Sequence, residues 1–207
     1  MAELTARAVV KRQQILEAAL TAFLENGYVG ASMDQVAATA SVSKQTVYKQ
    51  FEDKEHLFHA IITDIGDRVD DPFGELGREV AESDDVEQAI RELAELFTST
   101  VMAPRVQRIR RLIIAEAARF PDLGKAYWEG GFDRVLGTLA KCLARLTERG
   151  LLKVEDPMLA ANHFAGLLLW IPSNKVMFYG RGDAVSAEEL AASTEAGAAT
   201  FLAAYKA

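Results

Sequence analysis

The chain of 207 residues is short of everything that staples, breaks or bridges. Its one cysteine, Cys142, excludes an internal disulfide framework and a zinc–thiolate cluster, and suits a reducing compartment. Five prolines and 14 glycines are few, and beside abundant alanine they favour helix. Long hydrophobic runs are missing as well. The longest, Phe164 to Pro172, is far too short to span a bilayer, so no membrane partner is expected. The stretch Met1 to Gln14 has no apolar core and does not read as a signal peptide, which points to the cytoplasm. No fixed-period repeat or low-complexity tract is present. Positive charge is in deficit too: 23 Lys and Arg face 30 Asp and Glu, a net charge of −7. Taken whole, that balance speaks against a polyanionic partner, since a DNA-binding domain usually shows a basic footprint.

What is there is a globular, helical chain, half hydrophobic and 26% charged. The spacing predicts an all-α fold of about nine helices. A first helix from about Arg7 shares Ile15, Ala19, Ala22 and Phe23 on one face and stops at Asn26-Gly27. Ser32 with Gln35 forms a capping box that opens a very short helix ending near Ala40. Ser43 caps a second short helix to about Gln50, and Asp53 a longer one to about Val69. Asp70 to Gly74 reads as the loop between two parts of the molecule. Beyond it Ser83 is expected to cap a helix ending near Met102, and Pro104 starts the next. A long helix follows from about Asp122 to Arg149, with Gly130-Gly131 able to bend it. Asp156-Pro157 opens a helix to Tyr179, which Pro172 should kink. Ser186 opens the last.

Two short helices joined by a turn of about three residues are the sequence sign of a helix-turn-helix. They span Met33 to Gln50. Val47 and Phe51, four apart, form the buried stripe of the second helix. Lys44, Gln45, Thr46, Tyr48 and Lys49 are left for its outer surface and margins. That surface offers two cations for phosphates, an amide for a base edge and two hydroxyls for either, the chemistry of a recognition helix in the major groove. The plainer alternative is a solvated hairpin with ordinary surface lysines.

The order of residues decides between them. Ile15 to Ala19, Phe23, Gly27-Tyr28, Ala31 to Ala37, Val42 to Tyr48, Phe51 and Lys54 to Phe58 follow a pattern without a gap. Arg12 to Ala60 resembles the N-terminal DNA-binding domain of the TetR/AcrR family of transcriptional regulators. One departure is Ser41, where the family usually has glycine; a left-handed turn there strains serine slightly. The resemblance implies DNA contacts from Ser32, Ser43, Lys44, Gln45, Thr46, Tyr48, Lys49 and Lys54. Ser32 and Lys54 lie at helix N-termini, where N–H groups and dipole favour phosphate. Lys44 reads as a phosphate clamp and Gln45 as the base reader. It also divides the chain into a DNA-binding domain over 1–53, a linking helix and loop over 54–74, and a ligand-binding and dimerisation domain over 75–207.

Pro104 to Gly180 resembles a variant of that second domain, the AefR-like type, through Arg111 to Pro121 and Ala126-Tyr127-Trp128. The family implies a homodimer through the last two helices, about 157–179 and 187–205. Small residues such as Ala160, Ala161, Gly166, Ala192, Ala196 and Ala199 there permit close helix approach. The expected effector is small and apolar. Its pocket candidates are Phe97, Met102, Glu116, Trp128, Phe132, His163, Phe164, Trp170, Met177 and Phe178, with plain core the competing reading for each. Arg105, Arg108, Arg110 and Arg111 could hold an anion or form a solvated face. The implied activity is that of a repressor on double-stranded operator DNA, with no cofactor and no catalytic residue.

Two rivals stay in view: a helical enzyme, and a protein-interaction module with a degenerate reading head. His56 and His59 beside Glu52 and Glu55 hint at a metal, but the spacing is not H-E-x-x-H and no third ligand is evident. Arg181-Gly182-Asp183 is read as a turn. Divided by segment, the acidity changes meaning. Residues 1–16 and 41–51 each carry a net +2, while residues 61–207 carry −6. DNA contact is therefore expected on a small N-terminal face, with the negative bulk screened beyond about 8 Å.

Overall fold

The computed structural model describes residues 2–67, 79–80, 82–180 and 183–207. It is helical, as expected. The helices are α1 (Ala2–Gly30), α2 (Met33–Thr39), α3 (Lys44–Phe51), α4 (Lys54–Asp67), α5 (Val86–Val101), α6 (Pro104–Glu116), α7 (Pro121–Tyr127), α8 (Arg134–Glu148), α9 (Pro157–Tyr179) and α10 (Ala187–Tyr205). A π-helical turn, Trp128–Asp133, joins α7 to α8, so the Gly130-Gly131 pair widens the helix there. Among the described residues the one extended pairing is an isolated bridge between Leu152 and Lys206. The expected loop at Asp70 to Gly74 and the end of the linking helix toward Val69 lie outside the described residues, as do Arg181 and Gly182. No helix among the described residues is long and apolar enough to cross a membrane.

The chain divides into two compact units. The first comprises Met1–Val69 with Leu112–Gly130, the second Asp70–Arg111 with Gly131–Ala207. In the first, α1 turns Ile15, Leu16, Ala19 and Phe23 inward against Leu57, Phe58, Ile61 and Ile62 of α4. Gly27 breaks α1 with φ +68°, a left-handed conformation that costs glycine no Cβ clash. Tyr28 then folds back, stacked 5.8 Å from Phe23, and meets Phe58 at 5.2 Å and Phe120 at 4.9 Å. Burial pushes the Tyr28 hydroxyl pKa up, while the nearby Arg119 pulls against it.

In the second unit Ile90, Leu93, Ala94 and Phe97 of α5 are buried in one core with side chains of α8, α9 and α10. Phe97 meets Phe164 edge-on at 6.0 Å, and Phe164 meets Phe201 at 5.1 Å. The cap of α5 is Asp85 rather than Ser83: Asp85 Oδ1 accepts from the N–H of Glu87 and Gln88, both at 3.1 Å. Ser83 instead accepts from Asp85 N–H at 3.2 Å and so braces the cap from one step outside. Asp156 and Ser186 cap α9 and α10 as their sequences predict.

Pro172 lies inside α9. It has no N–H to give to the carbonyl of Leu168, four residues back. Ser193 Oγ of α10 donates to that carbonyl at 3.2 Å. One turn further along α10, Gly197 lets the helices close: a Cβ there would stand 2.7 Å from Leu168 Cδ2 and 3.0 Å from the Leu167 carbonyl oxygen.

A candidate nucleic-acid interface

The helix-turn-helix is set by two serines and a strained turn. Ser32 Oγ accepts from Gln35 N–H at 3.2 Å and starts α2. Met33, Val36 and Ala37 are buried, so α2 is fixed by its inner face. The chain leaves α2 through Ser41, whose φ is +53°. This is the left-handed turn expected where serine replaces glycine, a conformation that non-glycine residues rarely adopt. Val42 N–H closes the turn onto Ala37 O at 3.0 Å. Ser43 Oγ then accepts from Thr46 N–H at 3.2 Å and opens α3.

Within α3, Val47 is fully buried and Phe51 nearly so, with the Arg12 guanidinium 4.6 Å above the Phe51 ring. That inner pair fixes which side chains face out. Lys44, Gln45, Tyr48 and Lys49 are exposed and Thr46 is half-buried. Thr46 shares a 2.8 Å hydrogen bond with the Ser43 hydroxyl. Lys44 is not bare: its Nζ lies 2.7 Å from Asp34 Oδ1 and 3.0 Å from Oδ2, and 6.0 Å from the centre of the Tyr48 ring. The Asp34 hydrogen bond, with its charge second, raises the Lys44 pKa. Sequence reading missed this pair, because the partners are ten residues apart and only the turn geometry joins them.

Lys54 is placed differently from the other named contacts. Its Nζ donates to Ala31 O at 3.1 Å and Val29 O at 3.3 Å, and sits 4.7 Å from the centre of the Tyr28 ring. It ties the end of α1 to the start of α4. At the same helix start, Asp53 Oδ1 accepts from the His56 N–H and pairs with its ring, which raises the His56 pKa and lowers that of Asp53. His56 is thus held by a carboxylate cap, and no cluster of three or more metal-ligating side chains occurs among the described residues.

The pocket candidates are divided between the two units. Glu116 and Trp128 belong to the first unit, the others to the second. Phe97 and Phe164 are packed in the core. Met102, Phe132 and Met177 are half-buried. Trp170 and Phe178 stand out from the single chain, 70% and 85% exposed. His163 is exposed, its ring hydrogen-bonded to the Tyr205 hydroxyl at 2.6 Å. A cleft of about 280 Å³ between α5 and α10 is lined by none of them. The four arginines also divide: Arg105 and Arg108 face solvent, Arg111 is half-buried, and Arg110 donates to Ser173 Oγ and covers the Phe132 ring at 5.0 Å.

Comparison with known proteins fits this geometry. Residues 15–61 match the family described as bacterial regulatory proteins, tetR family. Residues 88–207, more than half the chain, match the AefR-like transcriptional repressor C-terminal domain. The chain belongs to the TetR family. Its relatives in that family include a regulator of known structure from Mesorhizobium loti, 40% identical over 97% of this chain and 99% of that one, with a TM-score of 0.91. The structure of the Flavonoid-responsive Regulator FrrA is 30% identical over 95% and 97%, with a TM-score of 0.72. Among curated proteins, the HTH-type transcriptional regulator YhgD of Bacillus subtilis is 44% identical over 55 residues, 27% of this chain and 29% of its own length. The stretch shared with the repressor AcnR of Corynebacterium diphtheriae covers 36% of that protein. With these two relatives, then, the likeness spans about a third of their length.

Proposed function

We propose that this TetR-family chain is a homodimeric repressor that binds a palindromic operator and is released by a small, mainly apolar effector. The observation that carries the reading is the division of α3. Val47 and Phe51 anchor it, and Lys44, Gln45, Tyr48 and Lys49 are left outward as one polar face. Lys44, Lys49 and the Tyr48 hydroxyl serve phosphates, Gln45 reads a base edge, and Ser32, Ser43 and Thr46 shape the approach of the two helix starts. Lys54 supports the head from within.

One head covers about half a site, and two heads on successive major grooves need a two-fold axis with a spacing of roughly 34–36 Å. The surface of α9 and α10 supplies a face for that axis. Leu159, Leu167, Trp170 and Ile171 are exposed on α9, and Ala192, Ala196 and Ala199 on α10. Apolar side chains clustered in the open mark an interaction surface. For the effector, FrrA is by its name responsive to flavonoids. In this chain Met102, Phe132 and Met177 are neither fully packed nor out in solvent, and beside Met102 the buried Gln107 Oε1 has no hydrogen-bond partner among the described residues. An effector releases the operator only if it binds the DNA-incompetent conformation more tightly.

The test is a gel-shift titration at several salt concentrations on DNA selected from random sequence by the purified protein. The double variant Lys44→Ala/Tyr48→Ala loses binding, Lys44→Ala alone lowers the salt slope by about 1, and Gln45→Ala relaxes base preference. Operator binding at full strength by the double variant would overturn the assignment.

A further inference from the structure

The reading head carries an acid where a DNA-binding surface gains nothing from one. Asp34 is exposed, in the first turn of α2, and its carboxylate grips the Lys44 ammonium with both oxygens at 2.7 and 3.0 Å. The two side chains are 65% and 58% exposed. An ion pair so wet contributes little to folding. The inner faces of α2 and α3 already hold them together through Val36, Ala37, Val47 and Phe51. The pair therefore has little to do for stability, and it sits on the cation best placed to meet a phosphate.

We propose that Asp34 is a specificity-determining positioning residue, which withholds Lys44 from DNA in general and releases it to the backbone of the operator. This rests on the DNA-binding reading above. Non-specific affinity is almost wholly phosphate attraction. A carboxylate facing Lys44 cancels that attraction locally and repels the phosphate itself. On a matched site the contacts of Gln45 and Tyr48 fix the register of α3, and the phosphate displaces Asp34 from Lys44 in one geometry. On unmatched DNA nothing fixes the register, and the exchange is not favoured. The Tyr48 ring, 6.0 Å from Lys44 Nζ, keeps the ammonium close to that position when the carboxylate lets go. Asp34 thus lowers affinity for all DNA but lowers it least on the operator.

A purely structural staple predicts the opposite sign, because cutting it would loosen the head and weaken binding everywhere. Fluorescence anisotropy of the full-length protein on selected operator and on a scrambled duplex separates the two. Asp34→Asn binds the scrambled duplex several-fold tighter with a steeper salt dependence, gains less on the operator, and so narrows their ratio. Asp34→Glu retains the wild-type ratio. In a Lys44→Met background the gain from Asp34→Asn shrinks to the small part that comes from direct repulsion of the phosphate. Weaker binding of the scrambled duplex by Asp34→Asn, or an equal gain with and without Lys44, overturns the inference. If the wild type selects no operator at all, it is the DNA-binding reading that fails instead.

Discussion

The helices α3 and α9 solve opposite problems with opposite surfaces. Helix α3 is eight residues long, and its two buried side chains are enough to leave a polar face. Helix α9 is 23 residues long, buries Ala160, Phe164, Leu168 and Val176, and leaves Leu159, Leu167, Trp170 and Ile171 exposed. A polar outer face on a short, anchored helix suits a partner with phosphates and base edges. An apolar outer face on a long helix suits a second protein surface. What each helix hides makes it fold, and what it leaves outside tells which partner it fits.

That contrast breaks most severely at its anchor. Phe51→Ala removes a side chain 3% exposed and the ring beneath Arg12, and should cost about 3–5 kcal/mol. Thermal denaturation followed by circular dichroism should show a large drop in Tm; an unchanged Tm would mean that α3 is not held by its inner face.

The sequence was most readable where structure is local. The Ser32, Ser43, Asp156 and Ser186 caps lie within three residues of the groups they satisfy, and all four are where the spacing puts them. The Gly27 stop and the left-handed Ser41 are equally local. Ser83 and Asp85 are two good caps two residues apart, and spacing alone does not choose between them. Less of the site was legible. The Asp34–Lys44 pair and the inward turn of Lys54 depend on side chains brought together from different helices. Apolar periodicity also marks a face as apolar without saying what covers it, so Trp170 and Phe178, read as pocket, emerge at the surface of the single chain.

The second way to test the contrast is to make α9 resemble α3. Trp170→Glu puts a charge on the exposed apolar face while leaving the α9 core untouched. At a hot-spot position it should raise the dimer dissociation constant roughly thirtyfold or more. Sedimentation velocity would show a shift toward monomer with helicity unchanged; a dimer as tight as wild type would move the interface off this face.

The smallest effect sharpens the polar side. His56 has its pKa raised by the hydrogen bond to Asp53. Its stabilisation is complete below the ordinary value near 6.5 and is lost as pH rises through the raised one. The Tm advantage of wild type over His56→Gln should therefore be small, and larger at pH 5.5 than at 8.5. A difference independent of pH would show that the ring does not act through its charge.

The serine that answers Pro172 bears on how the second unit can move. Leu168 has a vacant carbonyl, Ser193 holds the matching hydroxyl, and Gly197 provides the notch in which the Leu167–Leu168 backbone rests. Sliding α10 by one turn would strand that carbonyl and press a larger side chain into the notch. The two helices are keyed like a bolt in its slot: they can tilt together, but they do not slip. Whatever docks on their outer face meets a single plate of fixed register.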